Sequence, residues 1–276
     1  MTARNYAPIG IFDSGYGGLT ILSKIRERLP GYDYLYLGDN ARAPYGTRSF
    51  EVIYRFTLEA VKYLFSQGCP LVILACNTAS AKALRSIQQN DLPQIDPTRR
   101  VLGVIRPTVE TLAGVTRTGH IGLLGTQGTV DSGSYEIEIA KQNPGFTTSA
   151  HSCPMWVPLV ENDEAKGPGA DYFVKKDIDA IMSHDPEIDT LILGCTHYPL
   201  LLDKIRQYIP GDVTTLTQGE IVAESLADYL LRHPEMETRL SRSGATRFTT
   251  TENAAKFSRM ASLFLGEPVE AATVIL

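Results

Sequence analysis

The sequence is sparing in cysteine, with four in 276 residues and no Cys-x-x-Cys pair. Cys69, Cys76, Cys153 and Cys195 have neither the spacing of a zinc site nor that of a disulfide framework, so free thiols in a reducing compartment are expected. Long apolar runs are also missing. The longest, such as "PLVILA" at 70–75, fall far short of the ~20 residues that cross a bilayer, so no membrane association is expected. Positive charge is not in excess: 26 Lys and Arg against 31 Asp and Glu leave a formal net charge of -5, which offers no basic footprint for nucleic acid. The opening "MTARNYAPIGIFDSG" has no apolar h-region before a small-residue cleavage site, so no export signal is read and a cytoplasmic location is expected. Nucleotide signatures are lacking too. There is no Gly-x-Gly-x-x-Gly order, no Gly-Lys-Ser/Thr, and no lysine at a strand tip that would suggest a pyridoxal phosphate Schiff base.

What remains is an ordinary globular composition, 43% hydrophobic and 21% charged, of a length that suits two domains at roughly 150 residues each. Short apolar runs alternate with helical patterns, the mark of a mostly parallel α/β sheet. Strands are expected at 8–13, 32–39, 70–74, 100–105, 120–126, 147–153 (a weaker one) and 190–196. Helices are expected at 17–29, at 49–67 with Val52, Phe56, Ala60 and Leu64 on one face, at 79–89 and at 169–184, with a turn-rich loop over 90–98. The tail, 217–276, reads as a helix near 219–232, a strand at 247–251 and a helix through Phe257, Met260, Ala261 and Phe264, whose expected role is to cover the first domain's sheet.

Two stretches resemble one another. "VILACNTAS" (72–80) aligns with "LILGCTHYP" (191–199), setting Cys76 opposite Cys195 at an offset of 119, and "IGIFDSGYGG" (9–18) aligns with "IGLLGTQGTV" (121–130) at an offset of 112. A duplicated α/β unit with altered loops produces such nearly equal offsets.

In open parallel sheets ligands bind beyond the carboxyl ends of the strands, so polar strand tips are the places to look for chemistry. Four stand out: "DSG" (13–15), "GDNARAPYG" (38–46), "CNT" (76–78) and "CTH" (195–197). A thiol with a free pKa of about 8.5 is easily poised as a nucleophile or proton-transfer base, although buried cysteine more often acts as a small hydrophobe. Cys69 and Cys153 are read in the second way, Cys76 and Cys195 in the first, because polar neighbours flank them. One thiol per half suits a symmetric task better than nucleophilic catalysis, which needs one thiol, a base and an orienting group. A thiolate on one side of a carbon and a thiol on the other would invert a stereocentre. Asp13 and His197 could assist a thiol or bind a substrate ammonium group, and Glu161 follows an apolar approach, yet an N-cap, a satisfied histidine and a solvated charge explain them equally. The N–H groups of "DSGYGG" (13–18), at a helix start, form a candidate carboxylate site.

The ordered set "IGIFDSGYGGLT" (9–20), "LGDNARAPYG" (37–46), "ACNTAS" (75–80), "GLLGTQGTVDSGSY" (122–135), "CPMWVPLVE" (153–161) and "LGCTHYPLL" (193–201) resembles the glutamate racemases, from about residue 8 to 230. The resemblance implies two pseudo-symmetric α/β domains, each a mostly parallel sheet flanked by helices, with the site in the cleft between them. The expected division is 1–104 plus 217–276 for the first and 105–216 for the second. It implies a cofactor-independent isomerase, without metal, that supplies D-glutamate for peptidoglycan and cell wall biogenesis. Cys76 would act on D-glutamate and Cys195 on L-glutamate, Asp13 and His197 would assist the adjacent thiols, and Glu161 would lie near the substrate. Asp13, Ser14, Tyr45, Gly46, Asn77, Thr78, Thr196 and His197 would bind glutamate, with Thr126 and Thr129 lining the pocket. Family members differ in oligomeric state and in activation by a cell-wall precursor, so a homodimer and such an activator are open expectations. One departure is Arg106 in "GVIRPTV" (103–109), where an acidic or small residue is expected before the proline. An aspartate racemase of the same superfamily and a glutamate-sensing protein with inert thiols are the alternatives.

Overall fold

The computed structural model describes residues 6–276; the reading of an export signal rests partly on residues 1–5, which lie outside them. Among the described residues ten strands form two sheets: β1 (Ile9–Asp13), β2 (Tyr34–Gly38), β3 (Leu71–Leu74), β4 (Arg100–Gly103), β9 (Thr246–Thr250) and β10 (Ala271–Thr273) in one, and β5 (His120–Gly125), β6 (Thr147–Ser152), β7 (Thr190–Gly194) and β8 (Thr214–Leu216) in the other. Every pairing is parallel. The central strands β1, β2, β3 and β7 are buried along their whole length, which is why they read as unbroken apolar runs: helices cover both faces.

The first sheet runs β10-β9-β2-β1-β3-β4 and the second β6-β5-β7-β8. Four strands of the first sheet, β2-β1-β3-β4, thus repeat the order of the second, β1 answering β5 and β3 answering β7, as the paired sequence stretches do. Register fixes where the tips fall. Phe12 pairs with Leu74 and Asp13 with Gly38, so Asp13, Asp39 and Cys76 emerge together; Gly125 pairs with Gly194, bringing Thr126 beside Cys195.

Four expectations need correction. The tail does more than cover the first sheet, because β9 and β10 extend it beyond β2, while the helices Gln218–Arg232 and Ala254–Leu265 pack on Leu19–Arg28. The turn-rich stretch 90–98 is largely helical: a π turn (Ile87–Asp91) leads into Leu92–Ile95, where Pro93 falls in the first turn and needs no donor, and Leu92 is buried. The strand expected to reach 105 stops at Gly103, and Ile105–Glu110 is a short helix that accommodates Pro107 for the same reason. In Phe50–Ser66 the buried stripe is Ile53, Thr57, Ala60, Val61 and Leu64, rotated from the Val52 and Phe56 expected.

Each sheet fastens its loops with an aspartate placed just before a central strand. Asp33 Oδ1 accepts from the Ser243 N–H (2.8 Å), the Ser243 hydroxyl (2.6 Å) and the Ala245 N–H (3.0 Å), tying the tail to β2. Asp189, before β7, accepts from the Thr116 hydroxyl (2.6 Å) and the N–H groups of Arg117 (2.6 Å) and Thr118 (3.0 Å). Burial pushes the Asp189 carboxyl up, but these donors hold it well below the usual carboxylate range. Asp189→Ala strands those donors and should lower the unfolding free energy by about 1–3 kcal/mol, read from urea denaturation at neutral pH.

Candidate active site

Cys76 is delivered by β3 and caps the helix Asn77–Lys82, its Sγ accepting from the Ala79 N–H at 3.5 Å. A parallel strand buried on both faces has little freedom, so the sulfur's position is set by the sheet. The Cys76 thiol donates to Ser14 Oγ, also at 3.5 Å. Burial pushes this thiol up to about 12, the nearby Asp13 charge adds to the effect, and the Ser14 and Ala79 contacts oppose it.

Cys195 follows β7 directly. Its Sγ lies 3.8 Å from His197 Nδ1, and His197 Nε2 lies 3.1 Å from Glu161 Oε1, at the end of the helix Trp156–Glu161. Burial disfavours a charged imidazole, but the Cys195 sulfur and the Glu161 carboxylate outweigh it and raise His197 to about 10. His197 is therefore an imidazolium at neutral pH, held between two acceptors.

The two tips meet at the turn after β1. Asp13 is fully buried; its Oδ1 accepts from the Gly15 N–H at 2.8 Å and its Oδ2 from the Thr196 hydroxyl at 3.4 Å, a bond from one sheet's tip to the other's. Burial holds the Asp13 carboxyl above the usual range, with His197 and the Gly15 and Gly18 amides pulling the other way. Thr20 donates to the Thr196 carbonyl at 3.1 Å. Approach here is so close that a Cβ on Gly17 would sit 2.2 Å from Thr196 Oγ1 and 2.6 Å from His197 Nδ1. Only glycine fits.

A second set of contacts joins the sheets on the other side of Cys76. The Thr78 hydroxyl lies 3.0 Å from that of Thr126 and 3.3 Å from that of Thr129, and the Gly128 N–H donates to the Gly46 carbonyl at 2.7 Å. Cys76, Asn77, Thr78, Cys195, Thr196 and His197 are all buried, so the site is closed around its reactive atoms.

The structure thus gathers Asp13, Ser14, Cys76, Glu161, Cys195, Thr196 and His197 in one cluster, and Gly46, Thr78, Thr126 and Thr129 in an adjoining one. Two residues expected to face a ligand are otherwise engaged. The Tyr45 hydroxyl donates to Asp39, which also binds Arg42 and Thr251. The Asn77 amide donates to Gln218 Oε1 at 2.5 Å and accepts from the Tyr135 hydroxyl at 2.7 Å. Within the glycine turn the Gly15 amide is turned onto Asp13.

Sequence reasoning missed the residues that hold these positions. Gln218 Nε2 donates to the Tyr135 hydroxyl (2.7 Å) and Thr108 Oγ1 (3.0 Å), and the Tyr36 hydroxyl donates to the Gly15 carbonyl (2.9 Å). Asp39 and Tyr135 stood inside recognised motifs, but their partners are distant in sequence. Gln218 carried no signal, as the first residue of an ordinary amphipathic helix.

Residues 10–226 match the family described as Asp/Glu/Hydantoin racemase. A glutamate racemase of Ruegeria sp. (strain TM1040) is 42% identical over 267 residues, 93% of this chain and 96% of that protein. The structure superposes on glutamate racemase isoform RacE1 of Bacillus anthracis with a TM-score of 0.89 and 34% identity over 99% of both chains. It also resembles Escherichia coli glutamate racemase, determined in complex with L-glutamate and the activator UDP-MurNAc-Ala: TM-score 0.77, 26% identity, covering 98% of this chain and all (100%) of that one. The chain belongs to the Asp/Glu/hydantoin racemase family, among its glutamate racemases, and is an amino-acid isomerase.

Proposed function

We propose that this enzyme interconverts L- and D-glutamate by moving one proton off and another onto Cα, with Cys76 and Cys195 as the two acid–base groups and with neither metal nor organic cofactor in the reaction. The observation that carries this reading is the pairing itself. Two buried thiols, one at the tip of each sheet, each have polar partners of their own, and the Asp13–Thr196 bond links the two tips. The likeness to racemases studied with glutamate supports glutamate as substrate. The site sits between a first unit, 1–104 with 217–276, and a second, 105–216, and D-glutamate for peptidoglycan is the role the family resemblance implies.

The surroundings of the two thiols suit one direction directly. With L-glutamate bound, the Cys195 thiolate, its charge balanced by the His197 imidazolium, takes the Cα proton and becomes a neutral thiol; the protonated Cys76 gives its proton to the opposite face and is left as the thiolate. In the reverse direction Cys76 must first lose its proton, against the burial that raises it, so the substrate ammonium and Asp13 have to assist. The developing carbanion is stabilised by donors around the α-carboxylate in a site that excludes water; Thr78 and Thr196 are the nearest hydroxyls to the two thiols in sequence. Because the threonine contacts and the Gly46–Gly128 bond close the site, the two units separate for binding and release.

An activator such as the one in the E. coli complex would need a site at the junction of the two units. A groove of about 580 Å³ runs there between 80–88, 102–110, 134–141 and 222–233. Arg85, Arg106, Lys141 and Arg232 outnumber Glu110 and Glu138 in its lining, so it suits an anionic ligand such as a nucleotide-linked cell-wall precursor. Arg106, the sequence departure, is exposed and paired with Glu110 at 2.8 Å.

Circular dichroism on pure L- or D-glutamate tests the main reading. The native enzyme should bring either enantiomer to zero ellipticity, whereas Cys76→Ser and Cys195→Ser should each lose about 10²–10⁴-fold in rate. In deuterated water the product should carry solvent deuterium at Cα; near-native rates in either variant, or product retaining the original hydrogen, would refute the two-base assignment. Aspartate inverted faster than glutamate would move the enzyme to the other branch of the family.

The His197 imidazolium makes a separate prediction. Because its pKa rises from 6.5 to about 10 on folding, its contribution to stability is complete below about pH 6.5 and disappears as pH climbs to about 10. NMR of the imidazole should show titration well above 6.5, moving down in Glu161→Gln, and the stability gap between native and variant proteins should close across that window. For the groove, UDP-MurNAc-Ala should change the racemisation rate of the native enzyme, and Arg106→Glu should weaken that response while leaving the unstimulated rate intact.

A further inference from the structure

His151 and Cys153 alternate across the end of β6, and residues two apart on an extended chain face the same side. The helix Pro168–His184 packs over that side. Its buried stripe is Ala170, Val174, Ile178 and Ile181, interrupted by a carboxylate, Asp177. A buried aspartate on an apolar stripe is costly unless something compensates its charge. Here His151 Nε2 lies 3.2 Å from Asp177 Oδ1, and the Cys153 sulfur, the His151 nitrogen and the Asp177 oxygen all lie within 4.8 Å of one another. Among the described residues no other such group is found.

We infer that His151, Cys153 and Asp177 form a binding site for one divalent cation of the zinc type, separate from the two-thiol cleft. A tetrahedral zinc ion takes sulfur at about 2.3 Å and nitrogen or oxygen at about 2.0–2.2 Å, so its ligand atoms stand roughly 3.3–3.8 Å apart. The present separations need only a small contraction. A mixed sulfur, nitrogen and oxygen set selects zinc or cobalt over magnesium and calcium, which take oxygen alone. Thiolate and carboxylate together match a double positive charge, with the imidazole neutral and the thiol proton released to solvent. Cys153 and Asp177 are buried while His151 is half-buried, so the fourth position faces the His151 side, open to water and to incoming metal.

The site would staple β6 to the helix above it at a junction that matters. The Cys153 N–H donates to the Gly125 carbonyl (2.8 Å), and its own carbonyl accepts from the Trp156 N–H and the Tyr198 hydroxyl, both at 3.3 Å. Cys153 therefore touches the tip of β5, the start of the helix carrying Glu161, and the segment just after His197.

Cobalt(II) is the probe, and the Cys76→Ser/Cys195→Ser chain is the background, so that the cleft thiols cannot supply the signal. Titration should produce thiolate-to-cobalt charge-transfer absorption and intense tetrahedral ligand-field bands that saturate at one equivalent and vanish on adding zinc. Adding Cys153→Ser should abolish the charge-transfer band. Where that variant fails to fold, His151→Asn, at the half-buried ligand, carries the same test and should lose the stoichiometric binding. No charge-transfer band at one equivalent, or a band that survives either substitution in folded protein, would overturn the site.

Discussion

Everything at this active site depends on one close approach, that of the backbone at Gly17 to the Thr196–His197 tip of the second sheet. No side chain fits between them. The contact brings Asp13 within hydrogen-bonding reach of Thr196 and encloses His197 where it can lie against Cys195. Two parallel sheets each supply a rigid thiol, but rigidity within a sheet says nothing about the distance between sheets. The glycine turn sets that distance, and the Tyr36 hydroxyl on the Gly15 carbonyl holds the turn in place.

Bringing so many ionisable groups out of water is expensive, and the structure offsets the cost by pairing rather than by exposure. Asp13, Cys76 and His197 are all buried, and each has hydrogen-bond partners within the cluster. The consequences differ with the sign of the group. Burial without a cation at the sulfur keeps the Cys76 thiol protonated, whereas sulfur and carboxylate on either side of His197 keep its imidazole charged in spite of burial. Two chemically equivalent cysteines thus stand in different environments.

The sequence displayed the thiols, Asp13 and the two strand tips because their signals are local: an apolar run that ends in a polar group is visible without any knowledge of contacts. The correspondence of β1 with β5 and of β3 with β7 was legible for the same reason, through short strands with matching tips. Helix Ile105–Glu110 and the helical course of 90–95 were not, because Pro107 and Pro93 read as breakers unless the helix start is already known. The roles of Tyr45 and Asn77 were hidden more deeply. A polar side chain near a candidate thiol looks like a ligand contact, and the positions of Asp39, or of Gln218 and Tyr135, show the partners it has within the fold.

That last network explains why Asn77 follows Cys76 at all. The chain crosses between the two sheets twice, near 104–108 and near 217–218, and Gln218 touches both crossings: its amide donates to Thr108 and to Tyr135 of the second unit while accepting from Asn77 of the first. A single buried amide so placed is satisfied only when the crossings, the Tyr135 helix and the residue after Cys76 keep one relative position, and an unpaired buried partner costs on the order of 1–3 kcal/mol. Any movement of one sheet against the other that keeps these bonds pivots about this point. The groove lined by Arg106 and Arg232 lies between the same segments, with Val222 and Leu226 of the Gln218 helix in its wall. A ligand seated there would bear on the pivot and, through Asn77, on the placement of the first thiol.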